Sequence, residues 1–147
     1  MAQVLVRAYR ESDETRVIEL WTLGGLVRPW NDPKKDIARK LTVQRELFLV
    51  AELDGLVVGV VMAGYDGHRG WVNYLAVDLA QRRRGIGTAL MRDAERRLLL
   101  LGCPKLNLQV RRENAAVQAF YAAIGFSEDA AVSMGKRLIP DAPAKAP

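Results

Sequence analysis

Apolar and polar positions change period several times along the chain, and each change predicts an element. Val4, Val6 and Ala8 alternate with more polar neighbours, the period-two pattern of a half-buried strand over residues 3–10. The period then lengthens. Val17, Leu20 and Trp21 fall on one helical face, Ser12 or Asp13 is placed to cap that helix, and Gly24 and Gly25 stop it. Asp32-Pro33 opens a second helix with an Ile37 and Leu41 stripe, because aspartate caps well and the fixed φ of proline suits the first helical position. Two β-branched runs, 47–53 and 56–63, flank Asp54-Gly55, a dipeptide that accepts positive φ and so predicts a tight antiparallel hairpin. Residues 71–77 form the next strand. Ile86, Leu90, Ala94, Leu98 and Leu101 recur at helical spacing until Gly102, and Leu106, Leu108 and Val110 alternate in a fifth strand. Asn114 is placed to cap a short helix carrying Val117, Phe120, Tyr121 and Ile124, which Gly125 closes. Two short strands, 126–130 and 132–138, complete the pattern.

This order predicts an α/β (α+β) fold: a mixed, mostly antiparallel central sheet of about seven strands with helices on both faces. Residues 1–139 are expected to form one domain, and the Pro/Ala-rich residues 140–147 a disordered tail. A chain of 147 residues, half hydrophobic and 27% charged, has ordinary globular composition. Its apolar runs are too short to cross a bilayer and its first residues lack the layout of an export signal, so no membrane partner and a cytoplasmic location are expected. The single cysteine, Cys103, fits a reducing compartment. It precedes Pro104 at a helix end with no basic neighbour, which reads as structural rather than nucleophilic. No metal-ligand spacing is present, and the oligomeric expectation is a monomer or homodimer.

The 22 basic against 17 acidic side chains give +5, which raises nucleic acid as a partner. The basic pairs at 96–97, 111–112 and 136–137 stand beside no recognition helix or zinc-ligand pattern, so no nucleic-acid partner is expected and a small polyphosphate accounts for the excess. The place for it is Arg82-Arg83-Arg84-Gly85-Ile86-Gly87, between a strand and a periodic helix. Two glycines let the backbone curl, amides at a helix mouth converge on one point, and the helix dipole adds positive charge there. A dinucleotide fold would want Gly or Ala where Leu90 stands, and a nucleotide-hydrolysing loop would need lysine before Thr88, so neither fits.

The motif Arg/Gln-x-x-Gly-x-Gly/Ala, met by Arg82, Gly85 and Gly87, resembles that of the GNAT superfamily of acyl-coenzyme-A-dependent N-acyltransferases. Leu75-Ala76-Val77 is similar to the family's pantetheine-binding strand, and Asn114 to Phe126 (Asn-x₆-Tyr-x₃-Gly-Phe) to its second cofactor motif. The runs Arg-Pro-Trp-Asn-Asp-Pro from Arg28 and Gly-Tyr-Asp-Gly-His-Arg-Gly-Trp from Gly64 resemble a group of small bacterial members. The resemblance implies an acetyltransferase that passes the acetyl group of acetyl-coenzyme A (acetyl-CoA) to a primary amine, small molecule or peptide, in a ternary complex. It implies cofactor contacts from Leu75, Ala76, Val77, Arg82, Arg83, Arg84, Gly85, Ile86, Gly87, Thr88 and Asn114. Tyr121 would meet the cofactor too, as general acid to the departing thiolate. Arg28, Trp30, Asn31 and Asp32 lie in the loop that borders the acceptor site in the family.

The general base is left open. A related branch that acetylates protein N-termini carries glutamate at the place of Gln109, and glutamine accepts no proton at neutral pH. Asp66 and His68 are candidates, against a competing reading as a turn-forming aspartate and an exposed histidine. Tyr74 is a candidate base or water holder, against a strand aromatic. A missing base also leaves room for a non-catalytic acyl-CoA sensor or partner-binding module.

Overall fold

The computed structural model describes residues 3–141. An antiparallel meander of β1 (Leu5–Ala8), β2 (Phe48–Leu53), β3 (Leu56–Tyr65) and β4 (Gly70–Val77) is extended by β5 (Leu106–Leu108), which runs parallel to β4. Helices α1 (Glu14–Leu23) and α2 (Pro33–Lys40) fill the connection from β1 to β2. Helix α3 (Ile86–Leu100) makes the long crossover that parallel strands require, and α4 (Ala115–Ala123) follows β5. Asp54 and Gly55 take φ of 52° and 78°, the paired positive values of the hairpin turn expected between β2 and β3.

Strand alternation builds two cores. On β2, Leu49, Ala51 and Leu53 pack toward Ile86, Leu90, Met91, Ala94 and Leu98 of α3. Phe48 and Val50 face the other way, toward Val17, Leu20 and Trp21 of α1 and Ile37 of α2. Both faces of the sheet are therefore covered, as the order of elements predicted.

Among the described residues the sheet has five strands rather than about seven. Residues 127–139 carry the expected alternation, yet Val132, Met134 and Leu138 are 86%, 91% and 84% exposed. A strand needs a partner edge as well as a pattern, and β5 offers three residues of one. The segment is tethered instead by side chains, Lys105 to Asp129 at 2.9 Å and Gln109 to Ser133. At the other end of the chain Asp13 does not cap α1; its carboxylate accepts from the Arg10 amide and pairs with Arg7, each at 2.8 Å. The expected tail splits: residues 142–147 lie outside the described residues, while Asp141 is buried against α2. Among the described residues no helix is long and apolar enough to cross a membrane.

Two irregularities in β4 position everything that follows. Val60 pairs with Ala76 and Met62 with Asn73, so Tyr74 and Leu75 together oppose Val61 in a bulge. Strand β5 matches β4 over Gly70, Trp71 and Val72 alone, so residues 73–77 have no partner on that side and the sheet opens into a gap.

Candidate active site

The turn before α3 curls through Arg83 at φ 68° and Gly85 at φ 73°. No side chain caps the helix, and the Ala89 N–H, bonded to the Gly85 carbonyl at 2.9 Å, is the first amide to turn back into it. The amides of Ile86, Gly87 and Thr88 thus stand at the mouth of a fifteen-residue helix, where its dipole is positive. Arg82, Arg83 and Arg84 are exposed around them, and no carboxylate of the described residues pairs with any of the three. Gly87 has a second reason to be glycine: a Cβ there would lie 3.2 Å from Cζ of Phe120. Its absence lets α3 approach α4 beside Tyr121.

Asn114 caps α4 by accepting from the Val117 amide at 3.2 Å. Tyr121 is buried, 8% exposed, with its ring edge-on to Phe120 and Phe126 at centroid distances of 5.0 and 5.5 Å. Burial pushes its phenol up to about 12, so the hydroxyl keeps its proton at neutral pH. Leu75, Ala76 and Val77 lie on the stretch of β4 that faces the gap.

On the other side of β4 is a cavity of about 400 Å³. Arg28, Trp30 and Asn31 reach it from the loop between α1 and α2, as expected, and Asp36 reaches it from α2. Asn73 and Tyr74 line it from β4, and Arg111 lines it from beyond the end of β5. Tyr74 adopts φ of 58°, a conformation that costs a bulky residue roughly 1–2 kcal/mol. Three contacts hold it there. Its ring stacks on Trp21 at 4.2 Å, its carbonyl accepts from the Trp21 indole at 3.1 Å, and its hydroxyl donates to Asp36 Oδ2 at 2.5 Å. Burial and the Asp36 carboxylate raise the Tyr74 phenol well above its usual range, so it keeps the proton that it donates to Asp36.

The other expected site residues are placed differently. The Asp32 carboxylate caps α2 through the Lys34 and Lys35 amides at 2.9 and 3.3 Å and does not line the cavity. Asp66 and His68 sit in the exposed β3–β4 turn, away from the cavity lining. There the Arg69 and His68 amides, each 2.8 Å from Asp66 Oδ1, hold that carboxylate below the ordinary range. Gln109 is exposed and donates to Ser133. Asp36, Asn73 and Arg111 were not singled out from the sequence.

A brace supports this side from the C-terminal segment. The Asp141 carboxylate accepts from Arg39 at 2.5 Å, the Asp32 amide at 2.8 Å and Arg137 at 2.9 Å, and Arg137 also donates to Asn31 at 2.7 Å. The Arg39 guanidinium and the Asp32 amide together hold Asp141 well below the usual carboxylate range.

Residues 6–126 match the model of the acetyltransferase (GNAT) family. An acetyltransferase of Yersinia enterocolitica is 48% identical over 136 residues, spanning 92% of this chain and 96% of that protein. Ard1 from Thermoplasma volcanium superposes with a TM-score of 0.75 at 25% identity, over 86% of this chain and 84% of its own. The aminoglycoside N-acetyltransferase AAC(6')-Iy, solved with CoA, gives 0.75 at 17% identity over 93% and 96%, a likeness of fold. The helix mouth, the opened sheet and these matches agree: the chain belongs to the GNAT family and is an acyl-CoA-dependent N-acetyltransferase.

Proposed function

We propose that the enzyme transfers an acetyl group from acetyl-CoA directly to a primary amine held in the cavity beside Asp36 and Tyr74, within a ternary complex. The observation that carries this reading is where the cavity lies. Asn73, Tyr74 and Arg111, all in its lining, belong to the two strand ends that part beyond Val72, so an amine in the cavity borders the gap where the donor would lie.

The residues present fit the donor. The Ile86, Gly87 and Thr88 amides and the Arg82, Arg83 and Arg84 guanidiniums would hold its pyrophosphate, and the backbone of Leu75, Ala76 and Val77 its pantetheine arm. The Asn114 side chain, already spent on its cap, would add contact at the edge. Bound acetyl-CoA supplies an electrophilic thioester carbon and a thiolate leaving group. Tyr121 donates the proton that thiolate requires, because its buried phenol reaches neutral pH undissociated. Asp36 provides the carboxylate missing at Gln109: it faces the ammonium, takes its proton toward solvent, and is kept in place by the Tyr74 hydroxyl. Asp66 and His68 have no part in this assignment. A sensor without a base rested on Gln109, and Asp36 removes that ground.

Thiol release from acetyl-CoA across an amine panel tests the proposal. Tyr121→Phe should lower kcat by about 10²- to 10⁴-fold, the usual contribution of a positioned acid, with CoA affinity unchanged. Equal turnover in the variant would take Tyr121 out of the mechanism.

A further inference from the structure

Building on that reading, we infer that the acceptor is a small amino-carboxylic acid, such as a free amino acid, and not a polyamine or an aminoglycoside. Three features of the cavity carry this. Arg28 and Arg111 both line it, one from the α1–α2 loop and one from beyond β5, and neither has a carboxylate partner among the described residues. The other basic groups nearby are engaged: Arg39 with Asp36 and Asp141, and Arg137 with Asp141 and Asn31. Asp36 is the one carboxylate in the lining, and it already accepts from Tyr74 and Arg39.

The charge count decides the class. Two guanidiniums against one shared carboxylate make a cavity that holds one ammonium, at Asp36, and attracts anionic oxygen elsewhere. A ligand with several ammonium groups would bring its second and third charges against Arg28 and Arg111. A ligand with one ammonium and one carboxylate meets both signs. Guanidinium forks match carboxylate oxygens in bidentate geometry, and the side-chain amide of Asn73 adds a neutral donor in the lining. About 400 Å³ suits a molecule of amino-acid size.

The step balances without an oxidant. The acceptor enters as R–NH₃⁺ and loses one proton through Asp36 to water. The neutral nitrogen attacks the thioester carbon, the C–N bond forms and the C–S bond breaks. The nitrogen then sheds a second proton to solvent, and the thiolate takes one from Tyr121, which recovers it from solvent. The products are an N-acetylated acid, CoA thiol and one proton.

The test uses the full chain and two readouts. Calorimetry on enzyme saturated with CoA measures binding of the twenty L-amino acids and of their carboxamides, which keep the amine and lose the carboxylate. Thiol release from acetyl-CoA measures turnover on the same panel, with spermidine and kanamycin added. At least one free acid should bind, and its carboxamide should bind about 10- to 100-fold more weakly, the effect of one lost charge-assisted hydrogen bond. Arg28→Gln and Arg111→Gln should each raise the KM for that acid by a similar factor and leave the KM for acetyl-CoA alone. Arg112→Gln, exposed and outside the cavity, should change neither. Equal binding of acid and carboxamide, heat from none of the twenty, or faster turnover of spermidine or kanamycin would overturn the inference. Absence of heat from CoA itself would instead overturn the proposed function, and with it this assignment.

Discussion

The two halves of the site are built on different principles. The proposed pyrophosphate cradle of the donor side is backbone: one turn and one helix mouth, contiguous from Arg82 to Thr88, with charge supplied by neighbouring arginines. The proposed acceptor side is side chain: Arg28, Asp36, Tyr74 and Arg111 come from four separate segments, and Asp141, at the end of the described chain, holds the start and the last turn of α2 through the Asp32 amide and Arg39. A backbone cradle would hold an anion whatever its side chains are, because its donors are main-chain amides. A side-chain cavity can change acceptor by single substitutions while the cradle stays as it is. Variants should therefore divide into those that act on CoA and those that act on the amine.

The strongest break is at the cradle. Gly87→Glu should weaken CoA binding by roughly 100-fold or more, because a carboxylate at a helix mouth occupies the anion site and repels phosphate. Calorimetry with CoA measures it, and unchanged affinity would remove the cradle. Gly87→Ala sharpens the reading. Its Cβ would meet Phe120 at 3.2 Å without adding charge, so it should disturb α4 and Tyr121 and show mainly in kcat.

On the acceptor side, Asp36→Asn removes both an ionic hydrogen bond and the proton acceptor, so it should lower kcat/KM for the amine by about 100-fold and leave the affinity for CoA alone. Asparagine still offers Tyr74 an acceptor oxygen, so the fold and the bulge should survive. A variant with undiminished kcat/KM would show that the ammonium is bound elsewhere.

This division also explains what could be read from the sequence. The turn before α3 is legible because Gly85, at φ 73°, marks its own backbone geometry, and a local motif needs no knowledge of the fold. The cavity was half legible. Arg28, Trp30 and Asn31 were found through their loop, whereas Asp36 and Arg111 meet only after α2 packs on the sheet and β5 ends early. Asp32, expected both as a helix cap and at the border of the acceptor site, is the cap: its carboxylate accepts from two amides of its own helix. The last two strands failed for the converse reason. Alternation at Val132, Met134 and Leu138 is a property of the segment, but pairing depends on an edge, and three residues of β5 supply too little. Tyr74 shows the same limit at one residue, since nothing local announces φ of 58°; the bulge follows from how β3 and β4 register and from the Trp21 indole.

A milder variant separates the charges of the cradle from its amides. Replacing Arg82, Arg83 and Arg84 together by glutamine should weaken CoA binding about tenfold at low salt, since exposed charges contribute modestly and are screened. The difference from the parent protein should shrink as ionic strength rises. A salt-independent loss would mean that the turn itself, held at φ 68° by Arg83, had been deformed.

The smallest expected effect lies farthest from the chemistry, at Asp141. Its carboxylate ties α2 to the C-terminal segment through Arg39, the Asp32 amide and Arg137, and Arg137 in turn orients Asn31 at the rim of the cavity. Asp141→Asn keeps the shape and removes the charge, so it should raise the KM for the amine a few-fold while kcat and the affinity for CoA stay level. The pH dependence follows from the direction of its shift. A carboxyl group whose pKa is lower in the folded state stabilises that state above its unfolded value, near 3.9, and the stabilisation is lost as pH falls through the folded value. Between pH 5 and 8 the brace is therefore constant, and melting temperatures of parent and variant should run parallel there. They should converge only in acid, where the parent loses the advantage that the variant never had. Convergence on the alkaline side would mean that a different group holds the segment down.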